Sequence, residues 1–182
     1  MSANPTTTRP LGYQDYLAFP DDGLRHEIID GAHHVTASPF TYHQTLSRRI
    51  QFQLYTQIEL RGMGEVFDAP TCLQLSEVDI VEPDLVIVLR DNRAIIQRAK
   101  IDGIPDLIVE ILSPSTAARD RGVKQEVFRR AGVPEYWIVD PDEHVVDQFV
   151  LRSERYVLLG TQQERIEFQG ISGVAVDLSH VW

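Results

Sequence analysis

Residues 105–140, PDLIVEILSPSTAARDRGVKQEVFRRAGVPEYWIVD, decide how the chain is read. They begin with an apolar run, Leu107, Ile108, Val109, Ile111 and Leu112, interrupted by a single carboxylate at Glu110. Such a run has the pattern of a buried strand. A Ser/Pro/Thr turn follows, and then a charged stretch carries Val127, Phe128 and Ala131 as an inward helical stripe that Gly132 ends. Tyr136 to Val139 make a second apolar strand, stopped by Asp140-Pro141. Strand, helix and strand in that order call for a crossover between parallel strands. Burying an ionised carboxylate alone costs on the order of several kcal/mol, so Glu110 needs a cation or a hydrogen-bond partner.

Working outward, Glu82 to Leu89 holds another apolar run typical of a strand covered on both faces. His26 to Ile29, Asp30-Gly31 and Ala32 to Val35 have the pattern of a hairpin, with Asp-Gly supplying the positive φ angles of a tight turn. His33 and His34 are adjacent and point to opposite faces of their strand, which suits strand-filling residues better than ligands of one ion. Residues 65–69 and 71–75 read as two strands paired antiparallel. Leu11 to Phe19 has helical spacing and is ended by Pro20-Asp21-Asp22-Gly23. Ser38-Pro39 can start a helix in which Leu46, Ile50, Leu54 and Ile58 recur at fourfold spacing, about five turns long before Gly62 and Gly64. His43 lies in its first turn, and Arg48 and Arg49 lie on its solvent side. Residues 91–101 link two strands and hold a short helix. Val145 to Leu151 and Arg155 to Leu159 are further strands. The expected fold is α/β, a mixed β-sheet flanked by helices with an added N-terminal β-hairpin. Without repeats or a dividing linker, residues 1–182 are expected to form one domain, with 1–10 a flexible N-terminus.

Composition narrows the function classes. The chain has 182 residues, 43% apolar and 24% charged, enough for an ordinary globular core. No stretch approaches the roughly 20 apolar residues of a membrane span, and MSANPTTTRP has neither a basic start nor an apolar signal core. A cytoplasmic protein with no membrane partner is expected. The lone Cys72 excludes an internal disulfide and a Cys-based zinc cluster. A net charge of −10 argues against coating nucleic acid, though it leaves room for a locally basic cleft. Of the 17 basic residues only Lys100 and Lys124 are lysines, and in a chain that uses Arg by default each compact ammonium invites a reason.

Two Pro-Asp pairs offer Glu110 a second acid. Asp106 lies four residues away on the same strand, roughly 13 Å, too far to share an ion, and reads as a strand-entry residue. Asp84 lies on a different strand, and neighbouring strands sit about 4.8 Å apart, so Asp84 and Glu110 can converge. Two carboxylates with few histidines suit a hard cation, Mg²⁺ or Mn²⁺, that shares its shell with water and phosphate oxygens. Lys124, on the helix after the Glu110 strand, is the candidate for orienting water or neutralising charge at a phosphate. The plainer readings are Asp84 as a strand start, Glu110 as a salt-bridged structural acid and Lys124 as the i+4 partner of Asp120.

From Glu82-Pro83-Asp84 through PDLIVEILSPST, Arg119-Asp120, Lys124 and Gly132 to Pro141, and in His26 to Gly31 and His43-Gln44, the chain resembles the Uma-two endonuclease family of the PD-(D/E)XK, restriction-endonuclease-like, superfamily. The resemblance implies a metal-dependent nuclease core, with Asp84 as the Asp of the PD element and Glu110 as its D/E. The superfamily's Lys would fall at Leu112, and the resemblance implies that Lys124 reaches back from the helix instead. Phe128 stands where a Tyr is expected. Glu27 resembles a further acid of the family's site. The first reading is a Mg²⁺-dependent DNA endonuclease with Asp84, Glu110 and the Ile111 carbonyl as ligands. His43 would make a polar contact near a substrate phosphate, and Arg48, Arg49, Arg119, Arg121, Arg129 and Arg130 would steer phosphate. The alternatives are an inactive nuclease-fold interaction module and a hydrolase of another phosphate ester. A homodimer would suit cutting of both strands, although no heptad or other self-association signal is present.

Overall fold

The computed structural model describes residues 9–37, 40–114 and 117–182. In chain order the elements are α1 (Tyr13–Tyr16), β1 (Arg25–Ile29), β2 (Ala32–Thr36), α2 (Thr41–Leu54), β3 (Gly64–Asp68), β4 (Leu73–Gln74), β5 (Ile80–Val81), β6 (Leu85–Leu89), β7 (Ile101–Asp102) and β8 (Leu107–Ile111). They continue with α3 (Ala117–Arg119), α4 (Gln125–Ala131), β9 (Glu135–Asp140), β10 (Val145–Arg152), β11 (Arg155–Gln162), β12 (Arg165–Glu167) and β13 (Ala175–Asp177). Wider π-type turns extend α2 over Tyr55–Glu59 and join α3 to α4 over Asp120–Lys124.

The central sheet has six strands in the order β11-β10-β9-β8-β6-β3. β8 and β9 are parallel, as the crossover requires, and the other pairs are antiparallel. Gly132 closes the crossover helix at φ 91°, a left-handed cap that glycine takes without Cβ strain. The hairpin also forms as read, with Asp30 at φ 51° and Gly31 at φ 72°. The α/β class and the mixed sheet are therefore the observed ones.

Two expectations need correction. Residues 65–69 and 71–75 do not pair with each other: β3 joins β6 in the central sheet, whereas β4 joins β5 and β7 in a second sheet of order β2-β1-β5-β4-β7. Pro70 lies between them and cannot donate to a ladder, so the chain changes sheet there. Nor do helices alone cover the central sheet. Leu85, Ile87, Leu107, Val109 and Ile111 face α2 and the small β12–β13 sheet. Val86, Val88, Ile108 and Ile138 face the second sheet and α4, with Val127 and Phe128 packed among them. The Ser38-Pro39 helix start and residues 1–8 lie outside the described residues. Arg9 is described, and binds Asp15 at 2.6 Å.

Period-two alternation sorts the strands into these two layers. On β6 and β8 the residues facing the second layer are Val86, Val88 and Ile108, so Asp84 and Glu110 continue that face. On β1 the same layer takes Ile29, and with it Glu27 and Arg25. Four polar side chains thus reach one end of one layer.

Packing along β3 is equally strict. A Cβ added at Gly64 would stand 2.5 Å from the Val88 carbonyl oxygen, while one at Gly122, on the crossover helix, would meet nothing within 4 Å. We expect Gly64→Ala to destabilise the fold by about 1–3 kcal/mol and Gly122→Ala to be neutral or stabilising by up to about 1 kcal/mol, measured by urea unfolding.

Candidate functional site

The β6–β8 ladder ends at Leu85 opposite Val109. One step further along that antiparallel register Asp84 stands opposite Glu110, and opposite residues share a face with Cβ atoms about 4.5–5.5 Å apart. No further backbone rung forms between these strands. The Ile111 amide donates to Asp84 Oδ2 at 2.8 Å, so a side chain takes the place of a backbone acceptor. Both acids are about 2% exposed and line one cleft of roughly 120 Å³, room for several waters.

Asp84 is held from three directions. Arg25, at the start of β1, donates to Oδ1 at 2.9 Å. His43, in the first turn of α2, reaches around the end of the sheet and sets its Nε2 3.0 Å from Oδ2. Burial opposes ionisation, but the His43 hydrogen bond, the Arg25 charge and the Ile111 amide hold the carboxyl down at about 2.

Lys124 ties the other acids together. Its ammonium lies 2.6 Å from Glu110 Oε1 and 2.7 Å from Glu27 Oε1. The residue is 2% exposed, yet the charges of Glu110, Glu27 and Asp120 outweigh burial and raise its pKa. Its two partners respond differently. Glu27 is buried, but Lys124 and the Glu82 amide at 3.0 Å hold its carboxyl below the usual range. Glu110 is pushed well above that range by burial, with Asp120, Asp84 and Glu27 as like charges, in spite of Lys124. Arg119 completes the cluster 3.3 Å from Glu27 Oε2.

The structure brings Glu27, His43, Asp84, Glu110, Ile111, Arg119 and Lys124 to this cleft. It does not bring Arg48, Arg49 or Arg121 there. Arg48 is exposed farther along α2. Arg49 donates to the carbonyls of Val181 and Trp182, fastening the C-terminal residues to the domain. Arg121 pairs with Asp140 and Asp147, Arg129 with Glu126, and Arg130 with Asp30 and Asp79. Asp106 caps a strand entry, accepting from the Leu89 amide at 2.7 Å. Phe128 packs edge-on against Tyr136, whose hydroxyl donates to the Asp120 carbonyl.

The residue that sequence reasoning missed is Arg25. Its signal was available, since alternation from Glu27 puts Arg25 on the same face two positions earlier. Among the described residues no group of three His, Cys, Asp or Glu side chains is arranged to hold a metal ion. Among them, too, no helix is long and apolar enough to cross a membrane.

Comparison with known proteins follows the same lines. A crystal structure described as "a putative nuclease belonging to DUF820 from Anabaena variabilis ATCC 29413" superimposes with a TM-score of 0.77, covering 94% of this chain and 97% of that one at 16% identity. At that identity the likeness concerns the fold. The type IIG restriction endonuclease BpuSI matches with a TM-score of 0.39 and 18% identity, over 64% of this chain and 12% of its own, too slight a likeness to support an argument. No curated protein matches. Residues 13–179 match the Uma2 family, described as "Putative restriction endonuclease", and with that match spanning nearly its whole length the chain belongs to the Uma2 family.

Proposed function

We propose that the chain is a metal-dependent endonuclease that hydrolyses phosphodiester bonds in DNA, acting as a single nuclease-like domain. The observation that carries this reading is the convergence of Asp84 and Glu110 across the end of one strand pair, beside a buried Lys124.

The donor set fits Mg²⁺ or Mn²⁺. Mg²⁺ binds through one or two carboxylates and keeps several waters, so a ready-made cage of three acids is not required. Asp84 and Glu110 would hold the ion. Strand geometry turns the N–H and C=O of one residue toward the same edge, and the Ile111 N–H already faces Asp84, so the Ile111 carbonyl is the third candidate. A bound ion of this kind polarises a phosphate and lowers the pKa of a coordinated water.

The chain's own groups supply the rest. Lys124, fixed by Glu27 and Glu110, presents a compact positive charge to the cleft where phosphate charge develops. Glu27 orients Lys124 and acts through it. Arg25 keeps Asp84 ionised, and Arg119 places a guanidinium at the cleft that can exchange Glu27 for a phosphate oxygen. A second reading, an inactive interaction module, is favoured by one observation: Arg121, Arg129 and Arg130 are already paired with acids of the protein.

An assay on linear, supercoiled and single-stranded DNA with Mg²⁺ or Mn²⁺, alongside a simple phosphate monoester, separates these readings. Cleavage that chelator abolishes and that Glu110→Ala and Asp84→Asn lack is the expected result; equal activity in wild type and Glu110→Ala would show that the cutting lies elsewhere. Divalent ion at about 100 times its Kd should stabilise the wild type by about 2.7 kcal/mol, read as a rise in Tm that Glu110→Gln loses. Lys124→Met should lower kcat by about 10²–10³-fold and, because it strands two buried acids, destabilise the fold by about 3–5 kcal/mol in urea unfolding.

A further inference from the structure

The start of α2 leaves two aromatic rings in solvent. Phe40, at the N-cap position, is 70% exposed, and Tyr42 in the first turn is 43% exposed. A single apolar side chain on a surface needs no explanation. These two, however, line one pocket of roughly 290 Å³, whose other walls include Leu112, Pro114, Ala117 and Pro141. Pockets for drug-sized molecules run to about 300–1,000 Å³, so this one suits one planar ring system rather than a stack of them.

The pocket adjoins the cleft of Asp84 and Glu110. Phe40, His43 and Ser113 line both, and the His43 ring, part of each wall, has its Nε2 3.0 Å from Asp84 Oδ2. Charge sorts what each compartment accepts. The cleft holds Arg25, Arg119 and Lys124, which suit a phosphodiester. Among the described residues lining the pocket there is no Lys or Arg, and Asp140 and Asp142 are two of them. A second phosphate is repelled there, whereas an uncharged ring is not.

A nucleobase is the neutral, planar part of the ligand whose phosphate the cleft would take, and every base has a face that stacks on an aromatic side chain. In a duplex that face is already covered. Swinging the base out costs unstacking and unpairing, while a single strand presents it freely. We infer that the pocket takes an unpaired nucleobase next to the scissile phosphate, stacked on Phe40, and that single-stranded DNA is therefore the preferred substrate class. The inference rests on the nuclease reading above. Phe40 is a binding residue in it, with no part in the chemistry.

The test pairs a substitution with a missing base. Binding of a single-stranded dodecathymidylate, and of the same strand with one abasic site placed at each position in turn, is measured by fluorescence anisotropy for the wild type and Phe40→Ala. Ca²⁺ replaces Mg²⁺, and a gel checks that the strand stays uncut. Loss of one stacked base should weaken wild-type binding by about 5–150-fold at one abasic position. Phe40→Ala should lose as much on the intact strand and little more at that position, because both changes remove the same contact. With its ring so exposed, Phe40→Ala should keep the wild-type Tm. Wild-type affinity in Phe40→Ala, or losses that simply add, would overturn the inference. So would tighter binding of duplex than of single strand, or a wild-type dimer that Phe40→Ala splits in sedimentation, which would make a second copy the occupant. The two readings fail separately. Phe40-dependent binding without any cleavage sinks the nuclease and keeps the base pocket, while metal-dependent cleavage of duplex that Phe40→Ala retains, with no binding of single strands, does the reverse.

Discussion

The contact on which the arrangement depends is the ammonium of Lys124 between Glu27 and Glu110. Its three members come from three elements: β1 of the second sheet, β8 of the central sheet and the turn that opens the crossover helix. Each is about 2% exposed or less. Taking such charges out of water is expensive, and the expense is met only while all of them stay in place. The second sheet can therefore dock at essentially one offset, because sliding it along the central sheet would leave Glu27 or Glu110 buried without its cation. That single offset is also what delivers Arg25 to Asp84.

The overall charge takes on a different meaning in this light. The net −10 is spread over a molecule whose cleft nonetheless holds Arg25, Arg119 and Lys124. Each arrives with its own acid. The cleft is close to internally neutral, and a polyanionic ligand would enter by exchanging partners rather than by falling into an unopposed positive field. Such exchange favours a ligand that brings a cation with it.

Much of this was legible in the sequence, and the rest was hidden for identifiable reasons. The crossover, the Asp-Gly hairpin and the isolated carboxylate in an apolar run all rest on local patterns, and local patterns are what a sequence displays. The second sheet was hidden because β4, β5 and β7 are two residues each, too short to show a period. Arg121 and Arg130 were misleading because acids that hold them are distant in sequence: Arg130 finds Asp30 from 100 residues away, and Arg121 finds Asp147 from 26. His43 was placed correctly on its helix, but its meeting with Asp84 depends on how α2 overhangs the end of the sheet, and no spacing rule reports that.

The ladder between β6 and β8 runs out where the two acids begin, and the last rung is made by the Asp84 side chain itself. The residue that would take hold of an ion is thus also the clasp that stops the strands from unzipping. Grip on a ligand and grip on the neighbouring strand are drawn from the same oxygens. Were Asp84 to hold an ion as proposed, sequence drift that improved one grip would loosen the other, and ion affinity and the tightness of this corner of the sheet would move in opposite directions among variants.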